Sequence, residues 1–184
     1  MPSIRKIVKT AAIVLLAFLF CAIMFVALYD LYEFRPYVGK IEATYRAMDP
    51  EDRLPPANVQ AFIWKVDGSV VDSFAARRLL FEFRVPMRMS AWHYHSAMWE
   101  LMLRLHFDRT KRLSFYCHYL PHENGTGFSQ AAQLYFGKQP DELNDDQLAT
   151  LVAIGRHPSA NSPTRHPESL ARTKARLLEA AKTQ

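Results

Sequence analysis

Apolar residues are unevenly spread along this chain. From Ala11 to Tyr29 it reads AAIVLLAFLFCAIMFVALY, without a charge, and as a helix that stretch is long enough to cross a hydrocarbon core. Beyond it, apolar positions recur at helical spacing and no run alternates as a strand would, so the rest is predicted all-α. One helix is expected over Asp72–Phe83, ending before Pro86. A second covers Ser90–Asp108, with Trp92, Ala97, Met98, Leu101, Met102 and Leu105 on one side. A third runs from Lys111 to Tyr119, stopped by Pro121. Phe128–Phe136 closes on Gly137 as its C′ residue. Asn144 caps the next, with Gln147 completing a capping box and Asp145 and Asp146 in the first turn, and that helix ends at Gly155. Pro167 opens the last, which runs towards Lys182. Residues 30–56, rich in aromatics and prolines, read as a juxtamembrane linker, and HENGTG as a loop whose Asn-Gly pair is a turn signal.

At 184 residues the chain has room for an anchor and one modest domain. The expected division is 1–29 for the cytoplasmic tip and anchor, 30–56 for the linker and 57–184 for the domain. Hydrophobic residues make up 49% of the chain, yet the mean hydropathy is only −0.13, which places most of the apolar excess in the single span. Arg5, Lys6 and Lys9 precede that span, whereas Asp30 and Glu33 follow it. This asymmetry predicts a cytoplasmic N-terminus and a domain on the far side of the membrane. A cleaved signal peptide would want a shorter apolar core and a better cleavage site than Val26-Ala27-Leu28, so an uncleaved anchor is expected. The net charge of +5 does not point to nucleic acid for a domain outside the cytoplasm, and suits a surface near anionic lipid. Cys21 and Cys117 lie on different sides of this division and form no disulfide framework; Cys117 reads as a small buried apolar residue.

The C-terminal third reads GTGFSQAAQLYFGKQPDEL, then a capped apolar helix, then HPSANSPTRHPESLAR. This order resembles the end of a family 51 peptidoglycan glycosyltransferase domain, through Gly127, Ala131, Ala132, Tyr135, Phe136, Lys138, Leu143, Pro158, Ser162, Pro163, Pro167 and Glu168. GSVVDSFAARRLL is similar to that family's G-S-T-I-x-Q-Q-L donor-binding motif at Gly68, Ser69, Ala76, Arg77 and Leu79, with Val70, Asp72 or Ser73, Phe74 and Arg78 replacing its polar residues. The helix from Trp92 resembles the family's R-K-x-x-E helix. The resemblance implies a lysozyme-like all-α domain, membrane attachment in a bacterial inner membrane, and lipid II or glycan strands as ligands. Other cell-wall synthesis proteins are implied as partners, and no cofactor.

The same alignment implies lost chemistry. Glycan transfer needs a general base on the acceptor hydroxyl and a second acid near the leaving pyrophosphate. Val66 stands at the first glutamate and Met98 at the second. Tyr94 and His95 replace the Arg-Lys pair. Asp67 abuts Gly68, where the family places a few tens of residues, so a reduced jaw lobe is expected. The candidate catalytic residues are therefore Glu100 and Asp67, with Ser69, Arg77 and Arg78 for substrate binding. Glu100 lies two positions past Met98, roughly the opposite helix face, and an exposed pair with Arg104 at i+4 is the plainer reading. His93, His95, His118 and His122 are not spaced as helical metal ligands. Trp64, Trp92 and Trp99 could grip sugar rings, although aromatics at helical spacing are more often core or interface anchors. Three functions stay open: a non-catalytic scaffold or regulator, an active transferase with a rebuilt site, or a glycan-cleaving enzyme using Glu100.

Overall fold

The computed structural model describes residues 4–183 and divides the chain into two compact units, Met1–Glu42 and Ala43–Gln184. In the first, α1 (Ile4–Tyr29) carries the apolar run. It is long and apolar enough to cross a membrane, and the side chains in its most apolar window are not covered by protein. A π-turn (Asp30–Phe34) leads into α2 (Arg35–Ala47). Much of the expected linker is thus helical. Pro36 has no N–H and crowds the carbonyl one turn back, and the π-turn just upstream accommodates that defect without ending the helix.

The second unit is all-α apart from one two-residue hairpin. After α2 come α3 (Pro50–Arg53), α4 (Ala57–Val66), α5 (Gly68–Glu82), α6 (Trp92–His106) and α7 (Arg109–His118). The hairpin pairs β1 (Pro121–His122) with β2 (Gly125–Thr126), its Glu123-Asn124 tip being the turn expected from HENGTG. Then follow α8 (Phe128–Phe136), α9 (Asp145–Arg156) and α10 (Pro167–Thr183). Several boundaries follow local chemistry. Gly137 closes α8 at φ 61°. Asn144 and Gln147 form the reciprocal capping box of α9. Asp108 accepts from the Lys111 N–H at 2.8 Å and so caps α7. The core gathers Val59, Phe62 and Ile63 of α4, Leu113 and Tyr116 of α7, Ala131 and Ala132 of α8, and Val152 of α9.

Three expectations are corrected. Helix α5 starts at Gly68, directly after Asp67, and not at Asp72. Helix α9 does not end at Gly155 but continues to Arg156. A Cβ on Gly155 would lie 2.6 Å from Leu120 Cγ, so this glycine serves close packing and not helix termination. Helix α6 buries Trp99, Met102 and Leu103, while Leu101 and Leu105 of the expected stripe are exposed. Both stripes are apolar, and contact with α5 selects the one carrying Trp99.

Helix α3, inside the expected linker, packs against α7 and α8. Its Asp52 is buried and accepts from the Ser129 N–H at 2.8 Å, capping α8 across 77 residues. Gly127, at φ +124°, leaves room for that carboxylate, since a Cβ there would sit 3.1 Å from Asp52 Oδ2. Burial raises the Asp52 carboxyl from 3.8 to about 6, more strongly than the Ser129 hydrogen bonds lower it.

Candidate functional site

Asp67 is both the last cap of α4 and the first of α5, a turn so tight that its side chain is driven inward. It is 1% exposed, and both carboxylate oxygens are engaged. Tyr116 of α7 donates its hydroxyl to Oδ2. Arg156 donates Nε to Oδ1 at 2.9 Å and a second guanidinium N–H to the same oxygen. That guanidinium also donates to the Val66 carbonyl at 2.9 Å. Burial, then the Asp67 charge, pushes the Tyr116 phenol well above its usual range, so it stays a neutral donor.

Next to this buried pair lies a cavity of about 390 Å³ lined by Asp67, Ser69, Arg77, Tyr116, Arg156 and His157 among others. Phe74 forms an apolar wall, its ring 5.1 Å from that of Tyr116. Arg156 neutralises Asp67, whereas Arg77, an exposed lining residue, forms no ion pair among the described residues and adds a positive charge. The arrangement suits a bound anion. It does not suit proton abstraction, because a general base must present a free lone pair to its substrate.

The predicted site residues therefore separate. Asp67, Ser69 and Arg77 come together in one cavity. Arg78 turns aside, its guanidinium 5.2 Å over the Phe74 ring. Glu100 is not among the cavity's lining residues and pairs with Arg104 at 2.7 Å, the i,i+4 pair read from the sequence. Arg104 in turn donates to Asp72 Oδ2 at 2.7 Å, and Arg112 donates to Asp72 Oδ1 at 2.7 Å. Asp72 thus ties α5 to α6 and α7 from the place of a polar motif residue. Among the described residues no group of three or more His, Cys, Asp and Glu side chains converges as metal ligands would. Of the three tryptophans, Trp99 is core, and Trp64 carries the Arg109 guanidinium 4.2 Å above its ring. Sequence reasoning missed Tyr116, Arg156 and His157. The single usable signal was Asp67 itself, an acid between two apolar helices that needs a cationic partner.

The class of protein follows from comparison with known families. Residues 77–182 match the transglycosylase family, more than half of the chain, and the chain belongs to that family. It is a divergent member, and Asp67 and Ser69 fall just before the matched span. Among known proteins it is similar to penicillin-binding protein 1B of Haemophilus influenzae, with 34% identity over 80 residues, 41% of this chain and 10% of that protein. It is also similar to penicillin-binding protein 1A of Aquifex aeolicus, with 38% identity over 63 residues, 34% of this chain and 9% of that protein. The chain thus spans about a tenth of the length of these relatives.

Proposed function

We propose that this protein is a membrane-anchored, non-catalytic transglycosylase relative that acts as a scaffold or regulator in peptidoglycan synthesis and binds a lipid-linked diphosphate such as lipid II. One observation carries the reading: the carboxylate of the cleft, Asp67, is 1% exposed and fully engaged by Arg156 and Tyr116. Val66 and Met98 stand where the family resemblance expects acids, and neither can accept a proton. The loss of a positioned base alone removes about 10²–10⁴-fold in rate. Binding survives that loss, because Ser69 and Arg77 can give charge-assisted hydrogen bonds to a diphosphate at the cavity mouth. The α1 helix holds the domain at the bilayer where such a ligand resides, N-terminus in the cytoplasm and domain on the opposite side.

The test is polymerisation of lipid II by the purified full-length protein, with binding measured in parallel. Background polymerisation is expected, together with lipid II binding that weakens in Arg77→Gln. Glycan strands made by the protein and abolished by Glu100→Gln or Asp67→Asn would refute the non-catalytic reading. Absence of binding would remove the diphosphate role.

A further inference from the structure

Helix α4 has two faces of different character. Val59, Phe62 and Ile63 are buried, whereas Gln60, Ala61, Trp64 and Lys65 recur one turn apart on the other side. With Arg109 and Thr110, the first residues of α7, they line a cavity of about 470 Å³ that shares no residue with the Asp67 cavity. Trp64 organises it. The indole is held against the start of α5, where a Cβ on Gly68 would sit 3.3 Å from Trp64 Cε3. It carries the Arg109 guanidinium 4.2 Å above its ring. A guanidinium lying over a ring keeps its N–H fork for an oxyanion, and that of Arg109 makes no hydrogen bond or ion pair among the described residues. The neighbouring Asp108 commits Oδ1 to the Lys111 N–H at 2.8 Å. Lys65 adds a second exposed cation, and no acid lines the cavity. Stacking thus holds a donor fork ready for an anion that the domain itself does not supply.

We propose that this cavity binds a carboxylate side chain on an acidic peptide segment of a partner protein. Arg109 takes the carboxylate through its fork, Lys65 adds attraction, and Trp64 and Ala61 lie against the methylenes beside it. The choice of a peptide over free phosphate rests on Gln60. Its Nε2 is committed to the Pro55 carbonyl at 2.7 Å, which leaves its carbonyl oxygen as an acceptor. A peptide brings a backbone N–H for that oxygen close to its carboxylate, whereas a phosphate dianion brings no donor. The inference rests on the scaffold reading, to whose partner it gives a chemistry, and it stands apart from the diphosphate cavity.

The test uses the detergent-solubilised full-length protein carrying 5-fluorotryptophan, with the Trp64 fluorine resonance assigned through Trp64→Phe. The probes are a blocked Ala-Glu-Ala tripeptide, its Ala-Gln-Ala counterpart and inorganic phosphate. A saturable shift of the Trp64 resonance is expected with the glutamate peptide, while the other two tryptophan resonances stay fixed. The glutamine peptide should move none of them. Arg109→Gln should weaken binding of the glutamate peptide at least about tenfold. Arg109→Lys should weaken it too, because an ammonium keeps the charge and lacks the fork. Lipid II binding should be the same in Arg109→Gln as in the parent. Equal shifts from the two peptides, or full affinity in Arg109→Gln, would overturn the proposal. Phosphate that moves the Trp64 resonance at lower concentration than the glutamate peptide would assign the cavity to a phosphate, and would also overturn it. Loss of lipid II binding together with peptide binding in Arg109→Gln would show that the two cavities act as one site, against the proposal. A parent that binds the glutamate peptide but no lipid II would bear the proposal out and remove the diphosphate role alone.

Discussion

Asp52 allows the balance between burial and capping to be measured. Its carboxylate caps α8 from a buried position, and burial outweighs the cap, so the group titrates at about 6 in the folded protein against 3.8 when free. The folded state therefore holds this proton more tightly than the unfolded state does. The sign follows: ionising Asp52 costs stability, the cost is absent below about pH 4, grows as pH rises to about 6, and is constant above that. A gap of about two pH units corresponds to roughly 3 kcal/mol. In Asp52→Asn the Oδ1 acceptor for the Ser129 N–H remains and the charge is gone. The measurement is urea unfolding of the detergent-solubilised protein and its variant, followed by tryptophan fluorescence from pH 3.5 to 7.5. Relative to the parent, Asp52→Asn should gain stability across pH 4–6, approaching about 3 kcal/mol, and then level off. A difference that falls as pH rises would show that the cap and the helix dipole outweigh burial, and one that is flat with pH would show that they cancel it; either result would refute the reasoning.

Three further outcomes are expected. Gly155→Ala, whose Cβ would sit 2.6 Å from Leu120 Cγ, should lower stability by about 1–3 kcal/mol, and an unchanged melting temperature would mean that α9 and Leu120 separate freely. Asp72→Ala strands Arg112, whose side chain is 15% exposed, and should cost about 3 kcal/mol. Rescue of that loss by Arg112→Leu in the double variant checks that the penalty is the stranded charge. An alkaline phosphatase fused after Gln184 should be active, as basic residues before Ala11 predict, and a stable but inactive fusion would reverse the topology.

Local signals were legible because their physics is local. The left-handed closure at Gly137, the Asn144–Gln147 box and Pro167 at the start of α10 each satisfy or omit backbone groups within four residues, so spacing alone identifies them. The 18-residue apolar window in α1 likewise needs no partner to be recognised. The family resemblance also lay open in the sequence, because its motif residues hold the domain together in a fixed order. Other features needed the folded chain. Helix α6 has two apolar stripes, and periodicity cannot say which faces the core; packing on α5 selects Trp99, Met102 and Leu103 and leaves Leu105 outside. The cap of α8 comes from Asp52, 77 residues away, since Gly127 has no side chain to offer. The fate of Asp67 rests on Arg156, 89 residues distant. A buried carboxylate acts as a base, a structural anion or a neutral acid according to the donors that surround it. Those donors arrive on separate helices, and only the tertiary structure brings them together.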